Sequence, residues 1–167
     1  MPTKFIYTIL IHYSEIALKK NNRSFFENIF IQNIKTHLQK LKYKTIYLKA
    51  ARIFVYDIDI NKWEEFKQCL KNVMGLKNVT LMLECDTNID SLMVASKKII
   101  SNVNFKSYRI STKRHDKSLD FNSQDVNIKI GDHIKTLTNK PVNLDFPDLN
   151  IIIELLKNKS YVGIDKI

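Results

Sequence analysis

In the first part of the chain, the spacing of apolar and polar positions is typical of β-strands in some segments and of α-helices in others. Residues 4–12 form a β-branched and aromatic run, which predicts a buried strand. After a polar connection, Ser24 followed by Glu27 three positions later predicts a capping box at the start of a helix. The apolar residues at helical spacing that we expect to face the core are Phe26, Phe30, Ile34, Leu38 and Leu41.

A second amphipathic helix is predicted further along. Asn61 is a suitable N-cap with Glu64 three residues later, and Gly75 is a plausible stop. The inner face expected for this helix has Trp63, Phe66, Leu70 and Val73.

Three further strands complete the first half. Residues 44–49 and 52–58 are predicted strands joined by a tight turn at Ala50–Ala51, and a fourth strand is expected at about 77–84. The resulting order, β-α-β-β-α-β, is typical of a ferredoxin-like fold.

The second half also mixes helices and strands, in a different order. Residues 90–103 are a predicted helix, residues 106–112 a strand, and residues 149–156 a strongly apolar strand followed by a hairpin. Ser123 is the predicted cap of another helix, whose buried stripe would be Val126, Ile130, Ile134 and Leu137. The whole chain is therefore expected to be α+β.

Composition narrows the class of protein. The 167 residues are 44% apolar and 26% charged, which is typical of a globular chain. No apolar run approaches the roughly 20 residues that span a bilayer, so no membrane association is expected. Two cysteines form neither a disulfide framework nor a four-ligand zinc site. We expect a soluble, cytoplasmic protein.

The charge is positive and unevenly distributed. The chain has 27 Lys and Arg against 17 Asp and Glu, a formal net charge of +10. Six cations and no acid lie between Lys35 and Arg52, and five cations with one acid lie between Lys106 and Lys117. This distribution favours a surface that binds a polyanion over a merely solvated lysine-rich face.

Three stretches resemble one family. Residues 12–34, HYSEIALKKNNRSFFENIFIQNI, resemble the start of tRNA 4-thiouridine synthetases. Residues 108–134, which include KRHDK, resemble the core of the THUMP domain in the same enzymes, and residues 141–162 match the segment that follows it. Two positions depart from the family pattern, Ser14 in place of a glycine and Lys20 in place of a small residue.

The resemblance implies a fold and a partner. It implies an N-terminal ferredoxin-like domain, which we assign to residues 1–76, and an α/β THUMP domain at residues 77–167. It further implies binding of tRNA at the acceptor stem and 3′ end and, because the full-length family is generally dimeric, a homodimer. The PP-loop catalytic domain of these enzymes is not expected here, because no S-G-G-x-D-S nucleotide loop occurs in the sequence.

The KRHDK motif at residues 113–117 is the first candidate RNA-binding site. We expect a loop at the end of a strand, in which Lys113, Arg114 and Lys117 reach phosphates and His115 donates to phosphate when protonated. Asp116 is expected to orient neighbouring cations or to cap the loop backbone. The alternative is that the motif is a solvated turn.

Two helix starts are further candidates. Lys19, Asn22 and Arg23 lie in the connection before the first helix, whose exposed first-turn N–H groups beside a cation form an anion site. Ser123 is expected to leave N–H groups facing a phosphate, and Gly131 inside the same helix suggests close packing or close approach of a ligand. The alternative for the first of these sites is simple helix capping.

No catalytic, cofactor or metal site is predicted. His12, His37 and His133 share no metal-ligand spacing, and Cys69 and Cys85 are expected in the core or at an edge. The sequence therefore predicts no enzyme on its own, no cofactor and no metal.

The favoured function is a non-catalytic tRNA-binding protein that presents tRNA to a separate PP-loop subunit or domain for 4-thiouridine synthesis. The principal alternative is a THUMP adaptor for another tRNA-modifying enzyme, such as a tRNA acetyltransferase. A stand-alone enzyme lacks a nucleophile–base pair, and the positive charge disfavours a scaffold that never meets RNA.

Overall fold

A computed structural model describes residues 5–13, 22–49 and 52–166. The chain divides into two compact units, an N-terminal unit of residues 6–81 and a C-terminal unit of residues 82–167 with residues 1–5. The division falls inside a strand. The domain bounds 1–76 and 77–167 stay predictions.

The N-terminal unit has the predicted β-α-β-β-α-β order. Within its sheet the strands lie in the order β2-β3-β1-β4, and β3 pairs antiparallel with both β1 and β2. The elements are β1 (Tyr7–Tyr13), α1 (Arg23–His37), β2 (Tyr43–Lys49), β3 (Arg52–Ile58), α2 (Trp63–Leu70) and the first part of β4 (Leu76–Asp86).

The core of this unit lies between the two helices and one sheet face. Ile34 of α1 and Leu38 directly after it are fully buried, as are Phe66 and Leu70 of α2, so the predicted helix faces are confirmed at these positions. The buried cluster comprises Ile9, Ile11, Ile34, Leu38, Ile53, Val55, Ile58, Phe66, Leu70 and Val73.

The predicted ends of α2 differ from the observed ones. The Asn61 cap is wrong: the side chain of Asp59 accepts from the Asn61 N–H at 3.0 Å, and a short 3-10 turn precedes the helix. Gly75 lies beyond the helix, in the turn before β4, with a φ of +88° that favours glycine. A Cβ there would lie 3.3 Å from Phe30 Cε2, so the turn also packs against α1.

The C-terminal unit is a four-stranded arrangement with two helices. The strand order is β4-β7-β6-β5; β6 pairs parallel with β5 and antiparallel with β7, which confirms the predicted hairpin. Its elements are the last part of β4, α3 (Ile89–Ile100), β5 (Tyr108–Arg114), α4 (Ser123–Thr138), β6 (Leu149–Leu155) and β7 (Lys159–Lys166).

The pleat of this sheet separates an apolar face from a polar one. The Tyr108 hydroxyl donates to the Gly131 carbonyl oxygen at 2.7 Å, so Tyr108 faces α4. In the β5–β6 register Tyr108 lies opposite Leu149 and Lys113 opposite Glu154, and side chains alternate along each strand. Leu149, Ile151, Ile153 and Leu155 therefore share the helix side, whereas Glu154 faces away from it.

Among the described residues, no helix is long and apolar enough to cross a membrane.

Candidate nucleic-acid interface

The KRHDK motif spans the end of β5 and the loop that leads to α4. The predicted strand 106–112 is shifted: the observed strand is Tyr108–Arg114, so Lys113 and Arg114 are strand residues. Parallel pairing with β6 accounts for the difference, because Lys113 and Arg114 lie opposite Glu154 and Leu155. Only the last three residues of the motif belong to the loop.

Three residues of the motif are directed onto the protein. The Arg114 guanidinium donates to the Phe121 carbonyl oxygen at 3.3 Å, across the loop. The His115 Nε2 lies against the Glu154 carboxylate. The Asp116 Oδ1 accepts from the Ser118 N–H at 2.9 Å and from the Ser118 hydroxyl at 2.6 Å. These contacts hold the loop from three successive positions.

Asp116 therefore caps the loop backbone, which was one of its two predicted roles. Its two hydrogen bonds from Ser118 lower the pKa of the carboxyl below its ordinary value. Asp116 stays ionised to lower pH than a free aspartate, and its charge lies beside the cations of the motif.

The other two residues of the motif are the exposed cations. Lys113 at the end of β5 and Lys117 in the loop both have exposed side chains. The structure thus separates the motif into three residues that shape the loop and two lysines that face solvent.

The start of α1 differs from its prediction. Lys19 lies outside the described residues. Asn22 is exposed and precedes the helix, but its side chain makes no capping hydrogen bond, and the predicted Ser24–Glu27 capping box is wrong. Glu27 is buried and accepts instead from Arg23 Nε at 2.6 Å.

Arg23 is half-exposed and paired at the same time. The Tyr13 hydroxyl and the Glu27 carboxylate raise the pKa of its guanidinium, so it stays charged. Five N–H donors on the guanidinium leave donors for a further acceptor besides Glu27.

The start of α4 is capped by a reciprocal pair of protein groups. Ser123 is the first residue of the helix, and its predicted capping role is wrong because the cap is Asn122. The Asn122 side chain accepts from the Asp125 N–H at 2.9 Å, and the Asp125 carboxylate accepts from the Asn122 N–H at 3.2 Å. Ser123 therefore lies between these two capping groups, one of them an acid.

Gly131 and the cysteines have structural surroundings. Gly131 is buried, and a Cβ at this position would lie 3.9 Å from Ile110 Cγ1, an ordinary contact distance. Burial, together with Asp86 and Glu84, raises the pKa of the Cys85 thiol to about 12, which disfavours the nucleophilic thiolate. Among the described residues, no three His, Cys, Asp or Glu side chains are grouped so as to hold a metal ion.

Glu154 is the functional candidate that the sequence prediction missed. It is 2% exposed within the apolar run IIIELL, and it supports His115 from a distance of 39 residues along the chain. The available signal was the single acid in a strand predicted to be buried, because a buried carboxylate needs a partner.

Comparisons with known families match both halves. The family model of the ThiI ferredoxin-like domain matches residues 8–80, and that of the THUMP domain matches residues 86–165.

Curated relatives are longer than this chain. A probable tRNA sulfurtransferase of Thermoanaerobacter sp. (strain X514) is 40% identical over 93 residues, which cover 55% of this chain and 24% of the relative. One of Thermococcus kodakarensis is 26% identical over 168 residues, covering 95% of this chain and 43% of the relative. The chain thus spans less than half the length of these relatives.

Solved structures share the fold. PH1313 from Pyrococcus horikoshii matches 96% of this chain and 55% of its own, with a TM-score of 0.82 and 24% identity. A 4-thiouridine synthetase in complex with RNA and ATP matches 97% of this chain and 42% of its own, with a TM-score of 0.78 and 20% identity. Residues 8–80 of the chain therefore belong to the ThiI ferredoxin-like domain family, and residues 86–165 belong to the THUMP domain family.

Proposed function

We propose that this chain is a non-catalytic tRNA-binding module that recognises the acceptor stem and 3′ end. The observation that carries the proposal is the exposure of Lys113 at the end of β5 and of Lys117 in the following loop, which the other residues of the motif hold in shape. Relatives described as tRNA sulfurtransferases, and a similar fold solved with RNA, support the choice of tRNA.

The physical chemistry of RNA favours such a site. An A-form stem has a deep, narrow major groove, so a small basic module recognises its geometry, its phosphates and its unpaired end. Lysines on a fixed loop contact phosphates at defined positions, and their binding releases counterions. Affinity should therefore fall steeply with salt.

The other six predicted RNA contacts stay predictions, and the case for each one differs. They are Lys19, Asn22, Arg23, Arg114, His115 and Ser123. Arg114 has donors left after its bond to Phe121, and Arg23 has donors left after its bond to Glu27. The Asn122–Asp125 box weakens the case for Ser123, because an acid already occupies that helix start.

Charge reversal at the two exposed lysines tests the site. Lys113→Glu with Lys117→Glu should leave the fold intact and abolish most tRNA binding. The slope of log affinity against log salt concentration should become less steep, by the equivalent of about two phosphate contacts. Filter binding or fluorescence anisotropy with tRNA across a salt series measures both quantities.

The matched control reverses two exposed lysines of α4. Lys129→Glu with Lys135→Glu changes the net charge equally and should leave the affinity closer to that of the unchanged chain. Equal losses in both double variants would show that only total charge matters. Undiminished tRNA binding by the double variant Lys113→Glu and Lys117→Glu would place the site elsewhere.

We further propose that the bound tRNA is presented to a separate PP-loop catalytic subunit or domain for 4-thiouridine synthesis. The match of residues 8–80 to the ThiI ferredoxin-like domain favours this partner over an adaptor role for a tRNA acetyltransferase. A PP-loop polypeptide without a THUMP domain, given tRNA, ATP and a sulfur donor, should form 4-thiouridine faster when this chain is added. No stimulation by this chain would count against presentation.

A further inference from the structure

A buried carboxylate lies next to the end of β5, where the loop of the KRHDK motif begins. Glu154 in β6 is 2% exposed, on the sheet face away from α3 and α4, directly opposite Lys113 in the β5–β6 register. Its carboxylate contacts His115 Nε2. An imidazole N–H at this position is a donor that a carboxylate oxygen accepts.

His115 is held at its backbone as well. Its N–H donates to the Leu155 carbonyl oxygen at 2.9 Å, which continues the β5–β6 pairing one residue beyond the end of β5. The side chain of His115 is 16% exposed, so the imidazole faces the protein more than solvent. Two anchors on neighbouring residues of β6 thus determine where the strand ends and the loop begins.

Two exposed lysines lie on either side of this anchor. Lys113 lies two residues before His115 and Lys117 two residues after it, and both are exposed. A hydrogen-bond donor stabilises a buried carboxylate, so the His115–Glu154 contact favours one conformation of the chain between the two lysines.

We propose that His115 and Glu154 are positioning residues of the RNA site: the pair fixes the end of β5 and the start of the following loop so that Lys113 in the strand and Lys117 in the loop face the phosphates. The inference rests on the proposed tRNA binding and deepens it. It differs from the sequence prediction, in which His115 itself contacts phosphate.

A double-mutant cycle separates the two roles. His115→Ala and Glu154→Gln should each weaken tRNA binding about 10-fold, and the double variant should bind no more weakly than the worse single variant. His115→Gln should recover most of the affinity, because its amide can donate to Glu154. All four proteins are first compared by circular dichroism and thermal unfolding.

A direct phosphate contact gives the opposite pattern. His115→Gln would then bind as weakly as His115→Ala, with a salt slope lowered by about one contact, while Glu154→Gln would bind normally. That result would overturn the proposal. If Glu154→Gln does not fold, the comparison of His115→Gln with His115→Ala still distinguishes the two roles.

A spectroscopic readout follows the imidazole itself. In long-range ¹H–¹⁵N spectra of the unchanged chain, the His115 ring signals should keep their positions when tRNA is added, because the ring stays on Glu154. Large shifts on adding tRNA would contradict positioning. Undiminished tRNA binding by the Lys113→Glu and Lys117→Glu double variant would instead refute the RNA site itself, so the two failures are distinguishable.

Discussion

Helices α1 and α4 begin with similar sequences and different structures. Each has an asparagine before its first residue and an acid within the next five positions. Asn122 has the extended backbone of an N-cap, with φ of −101° and ψ of 174°, and forms a reciprocal box with Asp125. Asn22, with φ of −122° and ψ of 15°, makes no side-chain cap bond, and Glu27 pairs with Arg23.

The start of α4 has a structural role, whereas the start of α1 is a candidate for binding an anion. At α4 the amide and the acid of the capping box accept from the N–H groups of Asp125 and Asn122, and the negative charge of Asp125 disfavours a further anion there. At α1 the first turn contains no acid and has a half-exposed arginine. We therefore expect an anion to bind more readily at the start of α1 than at the start of α4.

The largest expected effect in this comparison is on stability. Asn122→Ala should lower the free energy of unfolding by about 1 kcal/mol, because it removes the capping box. Asn22→Ala should lower it by only about 0.3 kcal/mol, since no cap bond is lost. Urea unfolding followed by circular dichroism measures both; equal losses would contradict the assignment of the two starts.

A second prediction concerns the interior of α4. Gly131→Ala should stabilise the protein by about 0.5–1 kcal/mol, because alanine favours the helix and its Cβ meets Ile110 at an ordinary distance. Thermal unfolding is the measurement. A lower melting temperature would show that close packing on β5 requires glycine. Gly75→Ala, at φ +88°, is the contrasting control and should destabilise.

A third prediction introduces an acid at each helix start. Ser24→Glu, compared with Ser24→Gln, should add about 0.5 kcal/mol of stability through the helix dipole and weaken tRNA binding if α1 meets phosphate. Gln124→Glu, beside Asp125, should change tRNA affinity less. Urea unfolding and anisotropy titrations with both pairs give the two readouts. The same loss of affinity at α4 as at α1 would remove the distinction between the helix starts.

The smallest effect is a dependence on pH in the loop before α4. Because the folded pKa of Asp116 is lowered, its contribution to stability is complete above the pKa of the unfolded chain and is lost as pH falls through the folded value. The difference in melting temperature between the unchanged chain and Asp116→Ala should therefore be present at pH 6 and shrink toward pH 2. A difference in melting temperature that does not change with pH would mean that Ser118 stabilises the protonated and the ionised forms of Asp116 equally.

Local sequence patterns predicted most of the elements. The β-α-β-β-α-β order, the buried faces of α1 and α2 and the terminal hairpin follow from apolar spacing, which depends on residues a few positions apart. The caps at Asn61, Ser24 and Ser123 were wrong by one position or more, or did not form at all. Several adjacent polar residues can cap, and packing selects among them.

By itself, the sequence determined the fold class, the basic character of the chain and the position of the KRHDK motif, because these depend on composition and short-range period. Only the tertiary structure decided which residues of that motif face outward. The parallel pairing of β5 with β6 brings Glu154 to His115 across 39 residues, and no local pattern encodes that register. The same pairing extends β5 through Arg114 and leaves Lys113 and Lys117 exposed on either side of an anchored histidine.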